Sequence, residues 1–180
     1  YHLGGVIPEK DNLLVMPAKK FAAWFNVDVR TECEVVKINR EQKTVLCKTP
    51  NGEYEEGYDK LLIATGATPN ENSSIPNVFN LWTFKDMEMV LKSLSDAKKA
   101  VIVGAGFIGI EAAENLNEKG LDVTVIQRGA HVLPTIDKEM ATPLAQELER
   151  RGISVRYNCT VKNYKSKDGA VEIEMDCGDK

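Results

Sequence analysis

Val101–Gly129 reads VIVGAGFIGIEAAENLNEKGLDVTVIQRG, and it decides the fold. The apolar strand 101–103 runs straight into Gly104, Gly106 and Gly109, which match G-x-G-x-x-G at the mouth of a helix expected over 108–118. In such a unit the first glycine permits the tight turn, the second leaves room for a pyrophosphate against the backbone, and the third lets helix and strand pack closely. The free N–H groups at the helix start then face the phosphates. The loop Gly104, Ala105, Gly106, Phe107, Ile108, Gly109 is thus the expected seat of a dinucleotide, with a glycine turn that holds no ligand as the plainer reading.

The same rhythm continues downstream. A strand is expected over 122–127, a helix over 137–150 that admits Pro143 in an early turn, and a strand over 153–157. Gly120 and Gly152 stand where helices stop. The chain then closes in a hairpin turned at Lys167–Gly169. The implied class is α/β, a Rossmann-like domain on a parallel sheet.

At the end of the second strand an acid normally accepts the ribose hydroxyls and repels a 2'-phosphate. Gln127 holds that place, followed by Arg128, while Asp122 lies at the wrong end of the strand. The usual reason to reject NADPH is missing and one cation is present, so the reading leans to NADPH over NADH. Arg128 as a solvated turn residue is the alternative.

Upstream, Pro17 opens a short helix through PAKKFAAWF. From Val27 and Val29 the pattern switches to period two through Val35, Val36, Ile38, Val45 and Leu46, divided by NREQ and PNGE, which reads as an antiparallel meander. YDKLLIATGATPN reads as an apolar strand ending in a glycine turn. A surface helix is expected through TFKDMEMVLKSLSDAKK, with Met87, Val90, Leu91 and Leu94 on one side.

Composition excludes several classes. The formal charge is -4 with no concentrated basic stretch, so no nucleic-acid partner is expected. No apolar run is long enough for a bilayer, so no membrane partner is expected either. Cys33, Cys47, Cys159 and Cys177 form no CxxC, and His2 and His131 are the only histidines, which gives no metal site. The four cysteines read as buried or inert thiols in a cytoplasmic setting. The chain opens at Tyr1 and stops at MDCGDK as a strand turns, as a piece of a longer protein would.

YDKLLIATGATP, VIVGAGFIGIEAAENL and DVTVIQRGAHVLPTIDKEMATPLAQELERRGISV, taken in that order, resemble the flavin-dependent pyridine nucleotide–disulfide oxidoreductases. The opening YHLGGVIPEKDNLLVMPAKKFAAWFNVDVR is most similar to the branch of coenzyme A-disulfide reductases, NADH oxidases and NADH peroxidases. The resemblance implies the distal part of an FAD-binding domain over 1–80, a connecting segment over 81–97, and an incomplete NAD(P)H-binding domain over 98–180. It places Ala64, Thr65 and Gly66 beside FAD, Phe107 as an aromatic gate between flavin and nicotinamide, and Glu111 near the nicotinamide end. Packing and a solvated helix charge are the plainer readings of Phe107 and Glu111.

The family's redox cysteine sits in a CGLPY-like stretch whose tyrosine would be Tyr1, so none of the four cysteines replaces it. The implied chemistry is hydride transfer from NAD(P)H to FAD and on to a small-molecule disulfide, persulfide, peroxide or dioxygen, in a homodimer when the protein is whole. Two other readings stand beside it. One is a nucleotide-binding regulatory module without turnover; the other is a ferredoxin- or rubredoxin-type reductase that passes electrons to a partner protein.

Overall fold

The structure is a computed structural model that describes residues 2–69 and 74–177. Tyr1, and with it the CGLPY-like placement, lies outside the described residues. By contacts the chain divides into two compact units, Asp11–Ala67 on one side and Thr68–Lys180 with Tyr1–Lys10 on the other.

The smaller unit opens with helix α1 (Ala18–Phe25), introduced by Pro17 and ended by Asn26 in the left-handed region at φ 50°. Strands β1 (Glu34–Asn39), β2 (Thr44–Thr49) and β3 (Gly52–Gly57) form an antiparallel meander in that order. Val45 and Cys47 on the central strand are its buried residues. The period-two run reaches the ladder only from Glu34, because Val27 and Val29 find no strand-pairing partner among the described residues and stay exposed.

The expected strand through LLIATG does not form either. Strand geometry needs a hydrogen-bonded neighbour, and no described residue pairs with Leu61–Ile63, of which Leu62 is 88% exposed.

In the larger unit, helix α2 (Phe84–Ser93) begins with a capping box. The Thr83 hydroxyl accepts from the Asp86 N–H at 3.2 Å, and the Asp86 carboxylate accepts from the Thr83 N–H at 2.7 Å. The Thr83 N–H, and next the Thr83 hydroxyl donating at 2.8 Å, hold the Asp86 carboxyl below its ordinary range. Met87 is the buried residue of its apolar side.

Then come β4 (Lys99–Val103), α3 (Phe107–Glu118), β5 (Asp122–Ile126), α4 (Lys138–Arg150) and β6 (Ser154–Arg156). The three strands are parallel, with β5 in the centre. Its Val123 and Val125, which share one face of the sheet, are wholly buried. Ala113, Leu116, Ala141, Leu148 and Ile153 pack in the same core.

Pro143 lies in the second turn of α4, later than the early turn expected. The helix continues although proline leaves the Glu139 carbonyl without its N–H, and the Thr142 hydroxyl bonds the Lys138 carbonyl at 2.8 Å.

Arg151, at the end of α4, donates to Glu147 and to Glu114 of α3, each at 2.8 Å. Both helices therefore lie on one face of the sheet, as right-handed crossovers advancing in one direction dictate. Bonds from Arg150, and next from Arg151, lower the Glu147 carboxyl from 4.5 to about 2. A depressed acid stabilises the fold above its unfolded pKa, and that stabilisation disappears as pH falls through the folded one. Relative to Glu147→Gln, the wild-type melting temperature should hold its advantage at pH 6 and lose it progressively between pH 4.5 and about 2. A constant gap over that window would show that the ion pairs do not act on stability.

The chain ends in the antiparallel hairpin β7 (Cys159–Lys167) and β8 (Ala170–Cys177), turned at Asp168–Gly169 as expected. Cys159 and Cys177 lie opposite one another in its register, Cα–Cα 4.2 Å, and are joined by a disulfide. This corrects the reading of these two as separate inert thiols. Their separation of 18 residues carries no pairing signal, whereas the register of the hairpin does.

Candidate functional site

The glycine loop joins β4 to α3, and each of its glycines answers a different physical demand. Gly104 has φ 103°, a backbone conformation costly for any side chain. A Cβ on Gly109 would lie 1.9 Å from the Gly104 carbonyl oxygen, so this glycine lets the helix approach the loop. Gly106 differs from both. Its φ of -79° is ordinary, and a Cβ there would meet nothing within 4 Å.

The protein's own packing therefore does not require glycine at 106. The open space over it is where a group from outside the chain can approach the backbone. Gly106 is also the N-cap of α3 and has no capping side chain, which leaves the first N–H groups of the helix available to an anion.

The loop is held rigidly. The Gly104 N–H donates to the Ile126 carbonyl and the Leu133 N–H to the Ala105 carbonyl, both at 2.8 Å. The Ala105 N–H donates to Gln127 Oε1 at 3.1 Å, and Gln127 Nε2 donates to the His131 carbonyl at 3.2 Å. Gln127 is 6% exposed. Its amide thus ties the glycine loop to the segment after β5, so both of its polar ends are occupied within the protein.

Arg128, the next residue, is exposed and has no ion pair among the described residues. It lines an open cleft of about 780 Å³ beyond the C-terminal ends of β4 and β5, with Gly104, Ile126 and Gln127 on one side and residues 159–164 of β7 on another. Ligands of open parallel sheets bind outside these strand ends. Gly104 is the loop residue that the cleft includes; Gly106, Phe107 and Glu111 lie outside its lining.

Phe107 is the first residue of α3 and 62% exposed, as is Ile108, and Glu111 is exposed one turn along. Both large apolar side chains at the helix mouth thus remain bare. In the smaller unit, Gly66 has φ 72°, a conformation that favours glycine, and Ala64 and Thr65 beside it are exposed.

Sequence reasoning missed the β7 wall of the cleft and Leu133. The wall depends on where a later hairpin docks, which no local motif encodes. Leu133 is visible only through its backbone bond to the loop. Among the described residues, no helix is long and apolar enough to cross a membrane.

A family model described as pyridine nucleotide-disulphide oxidoreductase matches residues 4–180. The coenzyme A disulfide reductase of Staphylococcus epidermidis is 34% identical over 163 residues, covering 88% of this chain and 37% of that protein. The NADH oxidase of Methanocaldococcus jannaschii is 31% identical, covering 98% of this chain and 41% of that protein. The solved structure of an NAD-dependent persulfide reductase from A. fulgidus has a TM-score of 0.86 at 35% identity, covering 97% of this chain and 34% of that one. The chain spans about two fifths of the length of the curated relatives it matches.

Proposed function

The chain belongs to the pyridine nucleotide-disulphide oxidoreductase family, and from that premise we propose that it provides the nicotinamide-dinucleotide platform of a flavoprotein reductase. The observation that carries this reading is Gly106, a glycine whose fold does not need it, at an uncapped helix start. These residues fit a dinucleotide: the space over Gly106 admits a pyrophosphate, and the N-terminal N–H groups of α3 face it. When bound, the nicotinamide and flavin supply hydride and two-electron transfer, and the protein contributes position and electrostatics.

In this reading Ala105 is held in place by Gln127 and Leu133 and keeps the loop from yielding to the ligand. Phe107 covers the nicotinamide side of the helix mouth, where an apolar ring excludes water, and Glu111 lies one turn beyond it. Ala64, Thr65 and Gly66 contribute to the FAD site. Residues 1–80 form the distal part of the FAD domain and 98–180 most of the NAD(P)H domain. The acceptor class is a disulfide, persulfide, peroxide or dioxygen. Coenzyme A disulfide is the first to test, since the relative named for it is 34% identical. By the family resemblance the whole protein acts as a homodimer, which sedimentation would report.

Cofactor preference rests on Arg128. With the Gln127 amide occupied, Arg128 is the polar group at the end of β5 left to meet a ribose 2'-phosphate. The names of two relatives, NADH oxidase and NAD-dependent persulfide reductase, weigh on the other side. Calorimetric titration of the chain with NADPH and NADH decides it. NADPH should bind about tenfold tighter, the value of one hydrogen bond to a charged group, and Arg128→Ala should erase the difference. Equal affinities would overturn the preference and leave the platform standing. Failure of a folded sample to bind either would overturn the platform.

A further inference from the structure

We propose that Cys33 and Cys47 form a dithiol that reacts with a low-molecular-weight disulfide and closes into an intramolecular disulfide. The pair lies at the meander, Cys47 in its central strand and Cys33 just before its first. Cys47 is on the central strand β2, opposite Val35 of β1 and Tyr54 of β3. Cys33 sits just outside the ladder, past a bend where Glu32 takes a left-handed φ of 55°. Two residues from Val35 along an extended chain, it lies on the same face as Cys47, and the two share a neighbour in Tyr54, which stands opposite Cys47 in the register and whose hydroxyl lies 3.4 Å from Cys33 Sγ. Because Cys33 belongs to no ladder, it can move toward Cys47 as a sulfur–sulfur bond demands without breaking strand pairing.

The two sulfurs differ in access and surroundings. Cys47 is buried, whereas Cys33 is partly exposed and lines an open groove with Glu32, Glu34, Lys48, Thr49 and Pro50. The Tyr54 hydroxyl lies 3.4 Å from Cys33 Sγ and accepts a hydrogen bond from Arg30 at 3.1 Å. A hydroxyl that accepts from a guanidinium has its own proton to give to the sulfur. The bond to Cys33 raises the Tyr54 phenol, which keeps it a donor. Burial above all raises the Cys47 thiol, which favours its protonated form.

The order of steps follows. The Cys33 thiolate attacks one sulfur of an external disulfide R–S–S–R. That bond breaks, one R–S⁻ leaves, and a Cys33–S–S–R bond forms. Cys47 then loses its proton and attacks the Cys33 sulfur, expelling the second R–S⁻. The protein dithiol is oxidised by two electrons, the external disulfide is reduced to two thiols, and the two protons released go to the departing thiolates.

Glutathione disulfide is a direct probe, because trypsin separates all four cysteines and places these two on Thr31–Lys37 and Thr44–Lys48. The folded full chain is exposed to it, quenched with iodoacetamide in denaturant, digested and weighed. In the wild type the two peptides should emerge joined, lighter by two hydrogens than their sum and free of glutathione. Cys47→Ser should retain one glutathione on Thr31–Lys37, and Cys33→Ser should retain none on Thr44–Lys48. Two alkylated peptides from the exposed wild type would overturn the proposal, as would a stable glutathione on Cys33 beside an alkylated Cys47. The wild-type map decides the matter even if Cys47→Ser fails to fold.

Discussion

Gly106→Ser is expected to weaken nicotinamide-dinucleotide binding by about a hundredfold, roughly 2.7 kcal/mol, while leaving the fold as stable as before or more so. Two quantities move apart because two environments act on one position. Inside the protein the substitution is easy: φ is -79°, and the new Cβ meets nothing within 4 Å. Serine is also a better N-cap than glycine by a few tenths of a kcal/mol, since its hydroxyl can accept from a free N–H of the first turn. Outside the protein the same atoms occupy the space that a pyrophosphate needs, and the hydroxyl takes the N–H group that the phosphate needs. Calorimetry with NADH and NADPH, beside thermal melting of the same samples, checks both halves. Unchanged affinity in a normally folded variant would remove Gly106 from the site, and with it the observation on which the platform reading stands.

Local signals along the chain carry much of this fold. The alternation of apolar strands with helices from Val101 to Tyr157, punctuated by Gly120 and Gly152, needs nothing else, and the parallel sheet follows it closely. The Asp168–Gly169 turn is equally local. What is not legible in the sequence depends on partners distant along the chain.

Leu61–Ile63 has the composition of a strand but no described neighbour to complete its ladder. Cys159 and Cys177 are far apart until a hairpin register sets them opposite one another. Gln127 carries the most instructive lesson. Its position in the pattern points outward, to the ribose, because the alternation of a strand specifies an end but not the direction of a long amide. The structure turns that amide inward, onto Ala105 and His131, where both of its polar ends are occupied.

Gly109→Ala is expected to destabilise the chain by about 3 kcal/mol, at the upper end of what overpacking ordinarily costs. Helix propensity alone predicts the opposite, a gain near 1 kcal/mol for alanine over glycine inside a helix, so the sign of the result separates two physical causes. The added Cβ would lie 1.9 Å from the Gly104 oxygen and 3.1 Å from its carbonyl carbon. Both are backbone atoms, and no rotamer change relieves the contact. Nor can Gly104 retreat cheaply. It is bonded to Ile126 on β5, its φ of 103° is reached only by glycine at low cost, and the next residue is clamped by Gln127 and Leu133. The remaining relief is for α3 to lift away from β4, which opens the core around Ile110 and Ala113. Urea unfolding of wild type and variant measures the difference through the shift in midpoint. A variant as stable as the wild type would mean that helix and loop do not approach as closely as 1.9 Å implies. A destabilised variant that still binds dinucleotide when folded would show that Gly109 serves packing rather than the ligand.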